Sequence, residues 1–364
     1  PQILRNEGCK RVLYVGDQMY ADFPSRRSLF DPAYFARVSP GPTSILECSR
    51  NQVRDLYHQR YRLFWNFDAW QSLMAGWAGH FMWDDHEIVD NFGCAFAHGA
   101  DAWANVRLGA TDACYNYEMA RSVPRSTDAF HSFNHGFRYG PVATFMLDLR
   151  SQKRRHGDDR VDFYSETQLR DLETFLSTHA DAPVMLLVLT VPILHLPDWI
   201  ATIGATLSGE ASDAEDRWSH AWAATSRDRL LRTLHAHQNR HPHQKLVLVG
   251  GDIHVGAMSE IEWSDGTRPI LQLTSSAITH RDSLVVEKLA ELTPRIPFHI
   301  DLGDGLSADT QLLAGHGAAS SNPYGGLNFA VVQFATQGSE VGVHFKLFGD
   351  IDGDVKPVYS SAVL

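Results

Sequence analysis

Asp84, Asp85, His86 and Glu87 stand in a row within HFMWDDHEIVDNF, residues 80 to 92. All four side chains can bind metal or move protons, and burying them unpaired is costly. The apolar run His80-Phe81-Met82-Trp83 before them reads as the end of a buried strand. Carboxylates and an imidazole at the carboxyl end of a strand are what an α/β enzyme places in the crevice where its loops meet. A helix N-terminus, where acids simply face the dipole, is the plainer reading of the same letters.

Three other strand ends repeat the pattern. RVLYV, residues 11 to 15, halts at Gly16-Asp17, with Tyr20 one turn later, so two oxygens can point at one cation, although Gly-Asp is also an ordinary turn. Residues 142 to 147 end at Asp148, with Arg150 two positions on, and KLVLV, residues 245 to 249, runs through Gly250-Gly251 into Asp252 and His254. Turn composition alone does not give this recurrence. The expectation is a site assembled from Asp17, Tyr20, Asp85, His86, Arg150, Asp252 and His254 along one sheet edge, with Asp84, Asn91 and Asp148 touching substrate or supporting it.

The elements that must position these residues follow from periodicity. Residues 52 to 74 carry Val53, Leu56, Tyr57, Tyr61, Phe64, Trp65, Trp70, Leu73 and Met74 at helical spacing, an aromatic stripe that reads as core. Ser165 with Gln168 is a capping box opening a helix, and PVMLLVLTV, residues 183 to 191, is a strand buried on both faces, so a parallel crossover is expected. Ser212 with Glu215 opens a longer helix through Trp218, Trp222 and Leu234, whose His235, His237, His241 and His243 read as surface residues near its end. A further helix is expected over 283 to 292, strands over 269 to 273, 327 to 334 and 341 to 348, and the last two as a hairpin. Residues 25 to 48 read as a long loop, and 92 to 135 as an insertion near the site. Lys153-Arg154-Arg155 reads as a solvated loop, with anion steering as the alternative. Asp350 to Asp354 looks like the start of a calcium loop. Val355 stands where that loop needs Gly and Ser361 where it needs Glu, so an Asp-Gly turn is expected.

With 43 acids against 32 Lys and Arg, the net charge of −11 argues against general nucleic-acid binding. No apolar run reaches the roughly 18 residues of a membrane helix, so no membrane partner is expected. The four cysteines form no CxxC pair and suggest neither a zinc ribbon nor a disulfide framework. The sequence begins at Pro1 with no signal-peptide core, which leaves a cytoplasmic protein and a processed exported one equally open.

Aspartate, tyrosine and histidine make a hard ligand set that favours iron, manganese, calcium or magnesium, with zinc allowed. A bridged metal pair holding a nucleophilic hydroxide and a substrate oxygen suits displacement at phosphorus. His86 would protonate a leaving oxygen and Arg150 would grip phosphoryl oxygens. The expected function is therefore metal-dependent hydrolysis of small phosphate esters, mono- or diesters, by a metal-bound hydroxide. A metal- and phosphate-binding protein without turnover, and a hydrolase of non-phosphate substrates, are the other readings.

GDQMYAD, WDDHE, LDLRSQ and GGDIH, in this order between residues 16 and 254, resemble the PhoD-type alkaline phosphatases of the calcineurin-like metallophosphoesterases. The resemblance implies a four-layer α/β/β/α sandwich of two mixed sheets, with the late strands building the second sheet, and a single domain over 1 to 364. It implies Asp17 and Tyr20 as metal ligands, Asp85 in place of the usual Asn ligand, His86 as the phosphate-side imidazole, Asp252 and His254 as closing ligands, Arg150 near substrate, and iron with calcium as the metals. The family's first strand, with its Ser-Cys motif, has no counterpart before residue 11, so the expectation is either an absent amino-terminal portion or an incomplete first metal site.

Overall fold

The computed structural model describes residues 1–124, 132–193, 215–276, 278, 298–317, 322–338 and 340–364. The helix expected over 283 to 292 and the cap at Ser212 lie outside them. The chain divides into two compact units, Pro1–His135 with Asp148–Ser165, and Gly136–Leu147 with Glu166–Leu364.

The first unit is built on two parallel strands, β1 (Arg11–Val15) and β2 (Ala78–Met82), in register from Arg11↔Ala78 to Val15↔Met82. Tyr14 and Phe81 stack across the pair, with centroids 4.1 Å apart. Helices α1 (Gln2–Asn6), α2 (Pro32–Val38), α3 (Arg50–Phe64), α4 (Asp68–Gly76) and α5 (Ala104–Tyr117) complete it. Ser49 and Gln52 form a capping box at the start of α3, whose buried face is Val53, Leu56, Tyr57, Arg60 and Tyr61. The single helical stripe expected over 52 to 74 is broken in two, because Phe67 is extended at φ −144° and ψ 147°. The apolar spacing survives the break because Trp65 and Trp70 still meet, 5.2 Å apart.

Helix α5, from the segment expected as an insertion, packs against α3. Arg50 pairs with Asp112 in bidentate fashion at 2.6 and 2.7 Å, and Tyr61 stacks on Tyr117 at 4.6 Å. A side chain at Gly109 would meet Val53 Cβ at 2.6 Å, so the small residue allows the close approach.

The second unit carries an eight-stranded mixed sheet. Its strands are β3 (His135–Tyr139), β4 (Val142–Leu147), β5 (Val184–Leu189), β6 (Lys245–Gly250), β7 (Ala257–Trp263), β8 (Ile270–Thr274), β9 (His299–Gly303) and β10 (Leu306–Leu312), in the order β9-β10-β7-β8-β6-β5-β4-β3. Strands β4, β5, β6 and β8 run parallel, and β4 and β5 are buried throughout, as continuous apolar runs require. Helices α6 (Glu166–Thr178) and α7 (Ala224–Arg240) provide the crossovers and bury Leu169, Leu172 and Leu176, and Leu230, Leu231 and Leu234. Helix α7 starts later than its spacing suggested; Trp218 is buried ahead of it, donating Nε1–H to Val191 O at 3.2 Å. His237 is not a surface residue: it shares the buried stripe of α7 and its Nε2 meets Gln244 Oε1 at 2.6 Å.

Three antiparallel strands, β11 (Asn328–Gln337), β12 (Glu340–Ile351) and β13 (Asp354–Ser360), form a separate sheet. The β12–β13 connection is the expected Asp-Gly turn, with positive φ at Asp352 (57°) and Gly353 (83°). The α/β class holds. The strand partition differs from expectation: β1 and β2 do not share a sheet with β4 and β6. Residues 270 to 274 likewise join the eight-stranded sheet and not the late one. Apolar runs locate strands, but pairing is set by partners distant in sequence.

Candidate metal centre

Beyond β1, Gly16 extends the ladder by one rung, its N–H donating to Met82 O at 2.8 Å. Its φ of +84°, and the 2.5 Å that would separate an added Cβ from Asp84 Cβ, leave no room for another residue. Asp17 follows in the left-handed region at φ +58°. The fully buried Glu87 holds both loops: Oε2 accepts from Asp17 N at 2.9 Å and Asp84 N at 2.7 Å, and Oε1 from Met19 N at 2.9 Å. Arg60 donates to Tyr20 O and Phe23 O, fixing the same loop from α3.

This scaffold gathers Asp17, Asp85 and His86, each offering one ligand atom, all within 4.8 Å of one another. Tyr20 OH lies 3.4 Å from Asp17 Oδ2, and its ring stacks on His86 with centroids 4.1 Å apart. Asp22 accepts from His86 Nδ1 at 2.9 Å, which assigns the proton to Nδ1 and leaves Nε2 for another partner. Among the described residues, Oδ1 of Asp17 and Oδ1 of Asp85 are buried and accept no hydrogen bond. Buried carboxylate oxygens without donors are what a hard cation satisfies, so the donor set fits a metal ion.

The electrostatics are those of crowded acids. Burial pushes the Asp17 carboxyl well above its usual range; His86 opposes this and Asp85, Asp84 and Glu87 reinforce it. Burial also acts on Asp85, but the Arg150 guanidinium, His86 and the Asn91 amide outweigh it and hold Asp85 well below the carboxylate range. For His86, burial would depress the imidazole, yet Asp85, Asp17 and Asp22 together raise it. Burial, then Asp17 and Asp85, push the Tyr20 phenol up, so the phenolate form needs a cation beside it.

Arg150, expected to grip phosphoryl oxygens, is completely buried, with Nε bound to Asp84 and Nη2 3.5 Å from Asp85 Oδ1. It holds carboxylates. Asp148 is a support as well, accepting from Trp83 Nε1, Arg150 N and Ser151 N, each at 2.9 Å, and from Phe133 N at 2.8 Å. Asn91, at φ +56°, donates its N–H to Asp85 Oδ2 at 2.5 Å. Lys153 is not solvated: it is buried with Nζ 4.0 Å from the Phe163 ring centroid, and burial, then Arg150, lower it to about 7.

Asp252 and His254 belong to the second unit, just after β6. Both adopt positive φ, +61° and +53°, and Asp252 pairs with Arg217. Of the seven non-glycine residues at positive φ among the described residues, four are expected site residues, Asp17, Asn91, Asp252 and His254; backbone strain of this kind collects at functional positions. Three residues of the first unit were not singled out from sequence: Asp22, Glu87 in a positioning role, and Arg60. Only Glu87 left a local signal, the D-x-x-E spacing with Asp84 that marks a reciprocal cap.

The fold and the cluster define an α/β protein with a buried carboxylate–imidazole centre. A family model described as PhoD-like phosphatase matches residues 2–293, and the chain belongs to that family. It is thus a phosphatase-type hydrolase. A solved structure described as "Structure of PhoD" is similar over 97% of this chain and 67% of that one, with a TM-score of 0.56 and 15% identity. No curated protein matches the sequence.

Proposed function

We propose that the protein hydrolyses small phosphate esters with a metal ion held by Asp17 and Asp85 beside His86. The observation that carries the proposal is the convergence of these three side chains within 4.8 Å, with the buried Oδ1 of Asp17 accepting no hydrogen bond and that of Asp85 met only by the Arg150 guanidinium at 3.5 Å among the described residues. When bound, a cation there supplies Lewis acidity toward a phosphoryl oxygen and lowers the pKa of a water. His86 keeps Nε2 available to a substrate oxygen because Asp22 holds Nδ1, and its raised pKa suits donation of a proton to a leaving group. Arg150 pairs with Asp84 and Asp85 and holds both in place. Tyr20, Asp252 and His254 join as ligands, and iron with calcium as the metals, on the strength of the sequence resemblance; manganese, magnesium and zinc remain compatible with the oxygen-rich set.

Hydrolysis of an aryl phosphate monoester and a diester tests the reading. Chelation and Asp85→Ala should each abolish turnover and metal should restore it to the chelated wild type; turnover untouched by either treatment would refute it. Tight phosphate binding with no hydrolysis by the metal-loaded protein would point instead to a binding protein.

A further inference from the structure

We propose that Glu87 is the positioning residue of this centre: its carboxylate sets the spacing of the two ligand-bearing loops and thereby the affinity for the cation. The inference rests on the proposed metal reading. Glu87 is fully buried, and its two oxygens take three backbone amides from two loops. Two of the donors, Asp17 and Met19, lie 70 and 68 residues away in the chain, and the third is the amide of Asp84.

The arrangement is economical in geometry. Asp17 and Asp84 donate to the same oxygen, so the residue after β1 and the residue before Asp85 are referred to one point. Met19 donates to the other oxygen, which orients the loop between Asp17 and Tyr20. The hydrogen bonds of Glu87 run to backbone amides, so besides its electrostatic influence on Asp17 it acts on the cation through backbone position.

Substitution makes a graded prediction. In Glu87→Gln one oxygen becomes an NH2 donor, and the arrangement that keeps most bonds places it at Oε1, where only the Met19 amide loses its acceptor. Glu87→Ala releases all three amides.

Residue-resolved hydrogen exchange on the metal-free wild type is the first test. The Asp17, Met19 and Asp84 amides should exchange as slowly as that of Gly16, which donates to Met82; exchange as fast as exposed loop amides would overturn the inference whatever the variants do. In Glu87→Gln protection should fall at Met19 alone. Manganese titration by calorimetry is the second test: affinity should fall at least about tenfold in Glu87→Ala, as for other groups that orient metal ligands. Leu187→Ala, a destabilised control in β5, should bind manganese as the wild type does. Affinity within twofold of wild type in a folded Glu87→Ala would refute the positioning role. Absence of manganese binding by the wild type would instead sink the metal reading, leaving the exchange result to decide whether Glu87 fixes the loops.

Discussion

The loop after β1 and the loop after β6 begin alike and are held differently. Each is a Gly-Asp step with the aspartate in the left-handed region, φ +58° at Asp17 and +61° at Asp252. Strand β6 lies inside a wide sheet, where Gly251 N donates to Thr190 O at 2.8 Å and Ser275 N to Gly250 O at 3.0 Å, so neighbouring strands carry their pairing into the turn region. Strand β1 has one partner among the described residues. The loop beyond it is fixed by polar side chains reaching across tens of residues: the buried Glu87 to three amides, the buried Arg60 to two carbonyls, and Asp22 to His86. A broad ladder carries its own hydrogen bonds into the turn, with Arg217 pairing Asp252 beyond it; a narrow one needs several polar clamps, and those clamps are exposed to single substitutions.

The largest effect that follows is at Arg150. Arg150→Met leaves Asp84 and Asp85 buried without their guanidinium and should cost about 3–5 kcal/mol in urea denaturation, along with metal affinity. Leu187→Ala in β5, a buried apolar position, should cost about 2–4 kcal/mol and leave metal affinity alone. Equal loss of metal affinity in both would erase the distinction between the regions. Gly16→Ala should destabilise by about 1–3 kcal/mol through positive φ and contact with Asp84, read as a fall in the denaturation midpoint. A neutral result would mean that the loop relaxes freely.

Asp22→Asn should lower kcat about 10- to 100-fold at nearly unchanged stability, since the imidazole loses the charge that orients it. A larger effect on the denaturation midpoint than on kcat would make Asp22 a packing residue. The last effect is a pH dependence. Burial raises the Glu118 carboxyl to about 8 from an ordinary 4.5. The folded chain therefore holds a proton that the unfolded chain releases, and stability falls as pH rises between those values, levelling above about 8. Glu118→Gln removes that slope, so its Tm relative to wild type should rise between about pH 6 and pH 9; a constant difference would contradict it.

The strands that carry the site were legible because each is a contiguous apolar run ending in an acid, and Asp17, Asp85 and His86 do converge. What holds them was not. Arg60 sits in a helical stripe among aromatics and looks like any helix arginine until its carbonyl partners, 37 and 40 residues away, are known. Arg150 follows a strand as a substrate-binding arginine would, yet its partners Asp84 and Asp85 come from another loop. The division of the strand ends between a two-stranded and an eight-stranded sheet was equally hidden, because pairing depends on long-range register that local periodicity does not encode.

The most direct measurement is elemental analysis after equilibrium dialysis of the wild type beside Asp17→Asn and Asp85→Asn, with far-UV circular dichroism to show that each is folded. The account predicts that the wild type retains metal in stoichiometric amount and that both folded variants lose most of it. Metal retained equally by all three, or by none, would contradict it.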